Sequence, residues 1–184
     1  MQEVADSFPN YRISTYLWDD ITSNRVDEYA QGNLDDGYIV RSAPDEKIGI
    51  VVSYPKFKTK YGTFISFKIG IWDPVNKTYD SSKLKVINAP VLKSHGGYGV
   101  TASVKNYMGV TSDKLSRELG GRAHGSIRKG GMGTQMIETR LPALNFLDAI
   151  WINADPGNGP STSYSAATRT NVIAASTDPV ALDY

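Results

Sequence analysis

Side chains with catalytic or anion-binding uses are concentrated between Lys93 and Asn106. His95, one of only two histidines, can act as a general base or bind a metal, and Lys93 and Lys105 supply positive charge. The turn between them holds three glycines that let the backbone approach a ligand closely: Gly96, Gly97 and Gly99. We expect a catalytic group of His95, Lys105 and Lys93. The alternative is a glycine turn with solvated lysines and a backbone-bonded histidine.

Four more residues are candidate ligand-binding groups. Thr101 and Asn106 follow the glycine turn and would orient the ligand. His124 lies in a second glycine-rich, cationic segment, residues 120–133, which is typical either of a loop that folds over an anion or of a plain surface loop. Asp148 falls inside an apolar run, where a carboxylate needs donors, so we expect it to pair with a histidine or lysine. A structural hydrogen bond is the alternative for Asp148.

The elements that position these groups follow from hydrophobic periodicity. The pattern predicts strands at 48–54, 63–72, 84–89, 144–152 and 171–175, and helices at 13–21, 112–119 and 134–140. It also predicts a helix that follows the glycine turn and stops near Gly109. The apolar run 144–152 is typical of a strand buried on both faces of a parallel sheet. Asp178 before Pro179 predicts the start of a last helix, with Asp178 as its N-cap.

Strands that alternate with helices indicate an α/β fold with a mixed or mostly parallel sheet flanked by helices. Such sheets bind ligands where strands end and helices begin, which favours the glycine turn as the site. We expect an acidic polar segment at 1–46 and an α/β domain at 47–184. Because only five residues follow Pro179, we also expect the chain to be a piece of a longer protein that is cut within its C-terminal helix.

The net charge of +1 conceals a segregation along the chain. Residues 1–46 carry ten acids and three bases, whereas residues 47–92 carry eight bases and two acids. Residues 93–133 carry seven bases and two acids, and they hold ten of the 17 glycines. Because these bases lie beside glycines and not along a helix with interleaved aromatics, they indicate a small anionic molecule and not nucleic acid as partner.

Several classes of protein are excluded by composition. The chain has no cysteine, so it cannot hold a disulfide, a thiol nucleophile or a cysteine-ligated metal cluster. Two histidines cannot form a three-histidine zinc site, and the residues identify no particular cofactor. The sequence predicts neither a signal peptide nor a membrane span. A weak dinucleotide pattern at residues 97–102 keeps a nucleotide-like ligand open.

Three ordered blocks resemble the domain-of-unknown-function family 362. They are Val86-Ile-Asn-Ala-Pro-Val-Leu-Lys-Ser-His95 with Lys105-Asn-Tyr-Met-Gly109, then Leu147-Asp-Ala-Ile with Gly157-Asn-Gly-Pro160, and Ala175-Ser-Thr-Asp-Pro-Val-Ala-Leu-Asp183. The resemblance covers residues 85–184 and implies no known reaction. Members with an attached ferredoxin-like module are described as iron–sulfur proteins, which this cysteine-free chain cannot be.

The spacing of His95 and Lys105 is also similar to the N-terminal domain of the nickel-dependent lactate racemase family. That similarity would imply a lysine holding a nickel pincer nucleotide, with His124 as a downstream histidine for the metal. Three hypotheses follow for the function of this chain. In the first, it binds a small anionic or nucleotide-like ligand and is a candidate enzyme that uses Lys and His for acid–base chemistry. In the second, it is a non-catalytic scaffold that docks an acidic partner, including its own N-terminal segment. In the third, it is a nickel-nucleotide enzyme.

Overall fold

The computed structural model describes residues 2–17, 24–28, 36–41, 43–95, 97–118, 120, 123–153 and 167–184. Within these residues the fold is α/β, with two five-stranded sheets and six short α-helices. The fold class predicted from the alternation of strands and helices is therefore confirmed. The first of the two sheets is entirely antiparallel, whereas the second is mixed.

The first sheet is an antiparallel meander whose strands lie in chain order. Its strands are β1 (Gly37–Val40), β2 (Ser53–Lys58), β3 (Phe64–Ser66), β4 (Gly70–Asp73) and β5 (Thr78–Asp80). The single strand predicted at 63–72 is wrong, because the chain turns back between β3 and β4. The Ser66 hydroxyl accepts the backbone N–H of Ile69 (3.3 Å) within this turn. Gly70 follows at φ 114°, where a Cβ would lie 2.1 Å from the Asp80 carbonyl oxygen.

The second sheet carries the glycine turn. Its strands are β6 (Ile87–Asn88), β7 (Val91–His95), β8 (Gly99–Thr101), β9 (Leu144–Asn153) and β10 (Ala167–Ser176). The order is β10-β9-β7-β8, with β6 also paired to β9. β9 runs parallel to β6 and β7 and antiparallel to β10, so the sheet is mixed.

β9 corrects one expectation, since it is not buried on both faces. Leu147 and Ala149 are buried on one face, whereas Phe146 on the other face is 39% exposed; Trp151, on the face of Leu147 but nearer the end of the strand, is 56% exposed. Alternation along an extended strand sends neighbouring side chains to opposite faces, and only one face of β9 is well covered by the described residues.

The helices are short, and four of the six lie in the chain between β8 and β9. They are α1 (Gln2–Ser7), α2 (Ser103–Asn106), α3 (Asp113–Glu118), α4 (Ala123–Ser126), α5 (Gly131–Glu138) and α6 (Pro179–Asp183). The helix predicted at 13–21 does not form over residues 12–17, which have no regular structure, and residues 18–23 lie outside the described part. No described helix has the length and apolar character needed to cross a membrane.

The main core lies between the first sheet and the helical segment. Its buried side chains are Ile50, Val52, Tyr54, Phe67, Tyr107, Val110, Ala123, Met132 and Met136. Two polar side chains tie the layers together. The Gln135 side-chain amide of α5 donates to the Ser53 carbonyl oxygen (2.5 Å) and accepts the Ser53 backbone N–H (3.3 Å). The Arg140 guanidinium donates to four backbone carbonyls, those of Phe67, Lys68, Ser81 and Leu84.

The helix α6 begins as predicted. The Asp178 carboxylate accepts the backbone N–H groups of Val180 (2.8 Å) and Ala181 (3.2 Å), and Pro179 takes the first helical position. This places α6 against α2, so that residues from the end of the chain reach the segment that follows the glycine turn.

Candidate functional site

The glycine turn joins two strands and not a strand to a helix. β7 pairs with β8 in antiparallel register, with Lys93 opposite Thr101 and His95 opposite Gly99. Gly99 has φ 82°, a left-handed conformation that favours glycine and lets the chain reverse. Only after β8 does the chain enter α2. The candidate residues on this segment therefore lie on a β-hairpin, which corrects the expected strand-to-helix turn; Gly96 lies outside the described residues.

Tyr98, at the tip of this hairpin, organises the charged groups around it. Its ring centroid lies 5.1 Å from that of His95, 5.9 Å from Lys105 Nζ and 5.8 Å from Arg128 Cζ. The Tyr98 hydroxyl donates a hydrogen bond to the His124 carbonyl oxygen (2.7 Å). One aromatic side chain thus brings His95, Lys105 and His124 into one neighbourhood, although they come from three different elements.

Tyr98 and Arg128 are absent from the residues selected by sequence reasoning. Arg128 also donates to the Gly97 carbonyl oxygen (2.6 Å), which connects the second glycine-rich segment to the hairpin. The sequence signal for Tyr98 is an aromatic residue between glycines next to lysines, a setting that favours cation–π contact. Arg128 has no comparable local signal, because its two partners lie about thirty residues earlier in the chain.

Lys105 is a cation without an anionic partner among the described residues. Burial away from water and then the nearby charge of Lys93 lower its pKa below the ordinary 10.5. In the described residues, the ion pairs within 4.0 Å involve Arg41, Lys83, Arg117 and His124, and none involves Lys93 or Lys105. Two lysines that repel each other without a carboxylate between them are a site where an anion would be stabilised.

His95 is held in its neutral form. Its Nδ1 accepts the backbone N–H of Gly97 (3.2 Å), so the ring proton resides on Nε2. Burial, and then the charges of Lys105, His124 and Lys93, lower the pKa of His95 below the ordinary 6.5. Near neutral pH, His95 therefore offers a hydrogen-bond donor at Nε2 and no net charge. A proton transfer to His95 at Nδ1 would require the Gly97 bond to break.

A cleft of about 190 Å³ opens beside Tyr98. Its walls come from the hairpin, from α2 with Lys105, and from the start of α5. Gly130 precedes α5 at φ 86°, and no side chain caps the helix there. Gly133 lines the cleft inside the first turn of α5, and a Cβ built on it would meet no atom within 4 Å. The cleft thus combines a lysine with open backbone at a helix start, both of which suit a negative group.

The first amides of α2 already bind an anion, and this anion belongs to the chain. The Asp183 carboxylate accepts the backbone N–H groups of Ser103 (2.6 Å) and Val104 (2.8 Å). Ala102, at the N-cap position, has no side chain able to do so. Asp183 is also one of the residues that line the cleft. The first amides of the helix that follows the glycine hairpin are thus occupied by a residue of α6.

Thr101 and Asn106 lie close to this segment. Asn106 donates to the Asn88 side-chain oxygen (2.7 Å), and Asn88 in turn donates to Asn145 (3.0 Å), which makes a polar chain across the second sheet. Thr101 is buried, and its hydroxyl has no hydrogen-bond partner among the described residues. The side-chain amide of Asn106 is therefore already hydrogen-bonded within the protein, whereas the Thr101 hydroxyl has no such bond among the described residues.

His124 and Asp148 are the remaining two candidates, and each has a partner outside the cleft lining. His124 of α4 has its Nδ1 3.9 Å from the Asp113 carboxylate and its side chain is 53% exposed. Asp148 of β9 is half-buried and accepts the backbone N–H of Ile150 (2.9 Å), a bond within its own strand. The expected pairing of Asp148 with a histidine or lysine is replaced by this local bond. His124 reaches the hairpin through its backbone, by way of Tyr98.

The donor set for a nickel centre does not assemble. Within the described part of the chain, no three or more His, Cys, Asp or Glu side chains are placed to hold one metal ion. His95 Nδ1 is used by Gly97, and His124 faces Asp113. The described residues thus give no support to the metal centre that a likeness to lactate racemase would imply.

Two acidic residues of the N-terminal segment, Glu28 and Asp36, bond to the first sheet. Glu28 is buried and accepts hydrogen bonds from the Tyr54 hydroxyl (2.7 Å) and from Ser66. Asp36 accepts the Tyr16 hydroxyl (2.6 Å) and the backbone N–H of Lys58 (2.7 Å). These acids are thus bound away from the glycine-rich hairpin.

Comparison with known proteins gives a family but no activity. A family model described as a domain of unknown function, DUF362, matches residues 74–184. A thylakoid-associated protein of Synechocystis is 36% identical over 103 residues, which are 54% of this chain and 30% of that protein. This chain therefore matches less than a third of the length of that relative. Neither match is to a lactate racemase, and no solved structure matches the chain.

Proposed function

The chain belongs to the DUF362 family, whose members share a domain of unknown function, and we propose that its cleft beside Tyr98 binds a small anionic ligand. The observation that carries this proposal is Lys105, a desolvated cation that lines the cleft without a carboxylate partner among the described residues. A lysine held in this state gains charge stabilisation when an anion enters.

The surrounding groups support binding by giving the anion several donors. Lys93 adds a second positive charge near Lys105, since its field contributes to the lowered pKa of Lys105. The uncapped start of α5 adds backbone N–H groups at the wall of the cleft. Neutral His95 adjoins Tyr98, and its Nε2–H is free to donate a hydrogen bond to a bound anion. Lys105, Lys93 and His95 are thus the proposed catalytic group.

A cleft favours a small ligand over an acidic macromolecular partner. A docking surface for an acidic partner would be a convex or flat patch of cations, whereas here the unpaired lysine lines a recess. Two acids of the N-terminal segment, Glu28 and Asp36, are also bound by groups of the first sheet. We therefore place the anion in the cleft and assign the N-terminal segment a structural role on the first sheet.

The proposal is tested by titrating the protein with simple anions while following backbone amide shifts. Phosphate, pyrophosphate and a series of monocarboxylates serve as probes, each against chloride at equal ionic strength. We expect at least one probe to shift the amides of Val104 and Gly133 in wild type, and Lys105→Ala to weaken that binding at least tenfold. Lys85→Ala, which changes an exposed lysine outside the cleft lining, is the matched control. Equal binding by wild type and Lys105→Ala would overturn the proposal.

A further inference from the structure

The walls of the cleft indicate which anions it takes. Most of the side chains that line it are apolar: Val100, Ala102, Val104, Ile127 and Met132. Ala102 and Met132 are almost fully buried, at 2% and 1% exposed, so they lie at its floor, whereas Val100 is 45% exposed and lies at its mouth. A ligand that enters this cleft therefore exchanges water for apolar contact along most of its length.

The charged groups of the cleft are one lysine and one carboxylate. Lys105 supplies the positive charge, and Asp183 is the acidic residue in the lining of the same space. Two amides neutralise Asp183 in part, but its net charge persists and repels each further negative charge on a ligand. A monoanion satisfies Lys105 with the least repulsion from Asp183, whereas a polyanion meets that repulsion with every additional charge.

The size of the cleft sets a second limit. A volume of about 190 Å³ corresponds to roughly six water molecules at about 30 Å³ each. Clefts that enclose ligands of drug or nucleotide size are larger, at about 300–1,000 Å³. A whole nucleotide would thus remain mostly outside, while a compact molecule of six to ten heavy atoms, on the order of the waters it displaces, would fill the space.

From the apolar walls, the charge pair and the volume, we infer that the ligand is a small monocarboxylate with an apolar body. Its carboxylate binds Lys105, and its body lies against Val104 and Met132. This inference rests on the proposed anion binding at Lys105 and narrows its ligand class from anions in general to amphipathic monocarboxylates.

The test is a homologous series of acetate, butyrate and hexanoate, measured by amide shifts on the whole chain. Each methylene that enters the cleft should raise affinity about fourfold, because burial of a CH₂ contributes about 0.8 kcal/mol. Hexanamide, which has the same body without the charge, should bind at least tenfold more weakly than hexanoate. Lys105→Ala should remove this difference between acid and amide.

A cleft-filling variant tests the location without weakening the fold. Gly133→Ala adds a methyl group to the cleft wall within α5, where alanine favours the helix more than glycine. We expect it to lower hexanoate affinity severalfold while acetate affinity changes little. Gly109→Ala, at a glycine where a Cβ also meets no atom within 4 Å but which is not part of the cleft, is the matched control.

The outcomes separate this inference from the proposed function. Affinity that rises with the length of the carboxylate's alkyl chain and depends on Lys105 supports both the anion site and the monocarboxylate ligand. If pyrophosphate binds more tightly than hexanoate and Lys105→Ala abolishes that binding, the monocarboxylate inference is overturned and the anion site is still supported. Hexanamide that binds as well as hexanoate also overturns it. If no probe binds in a Lys105-dependent way, both are overturned.

Discussion

Replacing Asp183 with alanine tests whether the end of the chain supports the candidate site. The Asp183 carboxylate accepts two backbone N–H groups at the start of α2, at 2.6 and 2.8 Å. Without it, both amides lose their acceptor, and Ala102 has no side chain that can replace it. Since α2 carries Lys105, the variant should loosen the cleft wall as well as lower stability.

The expected magnitude follows from the two bonds. Loss of an N-cap costs about 0.5–2 kcal/mol, and charged acceptors lie toward the upper end. We expect Asp183→Ala to lower the free energy of unfolding by about 2 kcal/mol, which is roughly a thirtyfold change in the folding equilibrium at about 1.4 kcal/mol per factor of ten. For a chain of this size, the melting temperature should fall by about 4–8 °C. Asp183→Asn keeps one acceptor oxygen, so its stability should lie between those of wild type and Asp183→Ala.

The assay is urea unfolding followed by far-UV circular dichroism, with and without formate at constant ionic strength. Formate is small enough to occupy the place of the missing carboxylate, so it should restore part of the stability of Asp183→Ala. Asp45→Ala is the control, because Asp45 also accepts two backbone N–H groups, from Lys47 and Ile48 (both 3.0 Å), but in a surface turn. A wild-type midpoint for Asp183→Ala, or equal recovery of both variants in formate, would refute the reasoning.

Three further predictions concern the hairpin and the helical layer. Arg140→Ala removes four hydrogen bonds to backbone carbonyls; the guanidinium is partly exposed, so urea unfolding should show a loss of about 2 kcal/mol, at the low end for such bonds. His95 has a lowered pKa in the folded state, so the unfolded chain binds more protons and stability should fall as pH drops below 6.5. In His95→Asn, whose side chain still accepts the Gly97 N–H but does not titrate, this slope in the unfolding midpoint should diminish. Gly131→Ala should lower the melting temperature, because its Cβ would lie 1.9 Å from the Ser126 hydroxyl oxygen. Gly133→Ala should raise the melting temperature, because alanine favours a helix over glycine by up to about 1 kcal/mol. A Gly131→Ala variant that melts at a higher temperature than Gly133→Ala would contradict this packing.

Local patterns are enough to predict some elements of this fold. The apolar run of β9 and the Asp178–Pro179 start of α6 depend on neighbouring residues, so they could be derived from sequence. The break between β3 and β4 could not, because apolar alternation continues through Phe67 and Ile69. There the turn is imposed by contacts with β5, whose carbonyl occupies the space a side chain at Gly70 would need.

In the candidate site, too, some features depend on neighbouring residues and others on residues far apart in the chain. Lys93, His95 and Lys105 lie within a short stretch, so their clustering could be predicted from spacing. Asp183 is eighty residues from the amides it binds, and no local pattern connects the two. Tyr98 contributes through ring contacts with residues from three elements, which only the folded chain brings together.

The distribution of acidic partners explains why a chain with a net charge of +1 can hold an unpaired cationic site. The described N-terminal acids with hydrogen bonds into the first sheet, Glu28 and Asp36, are bound by hydroxyl and amide donors. Asp183, the carboxylate that lines the cleft, is committed to backbone amides of α2. These three carboxylates thus bind neutral donors, and none of the described ion pairs involves Lys105 or Lys93. An external anion is therefore the partner that we propose for these two lysines.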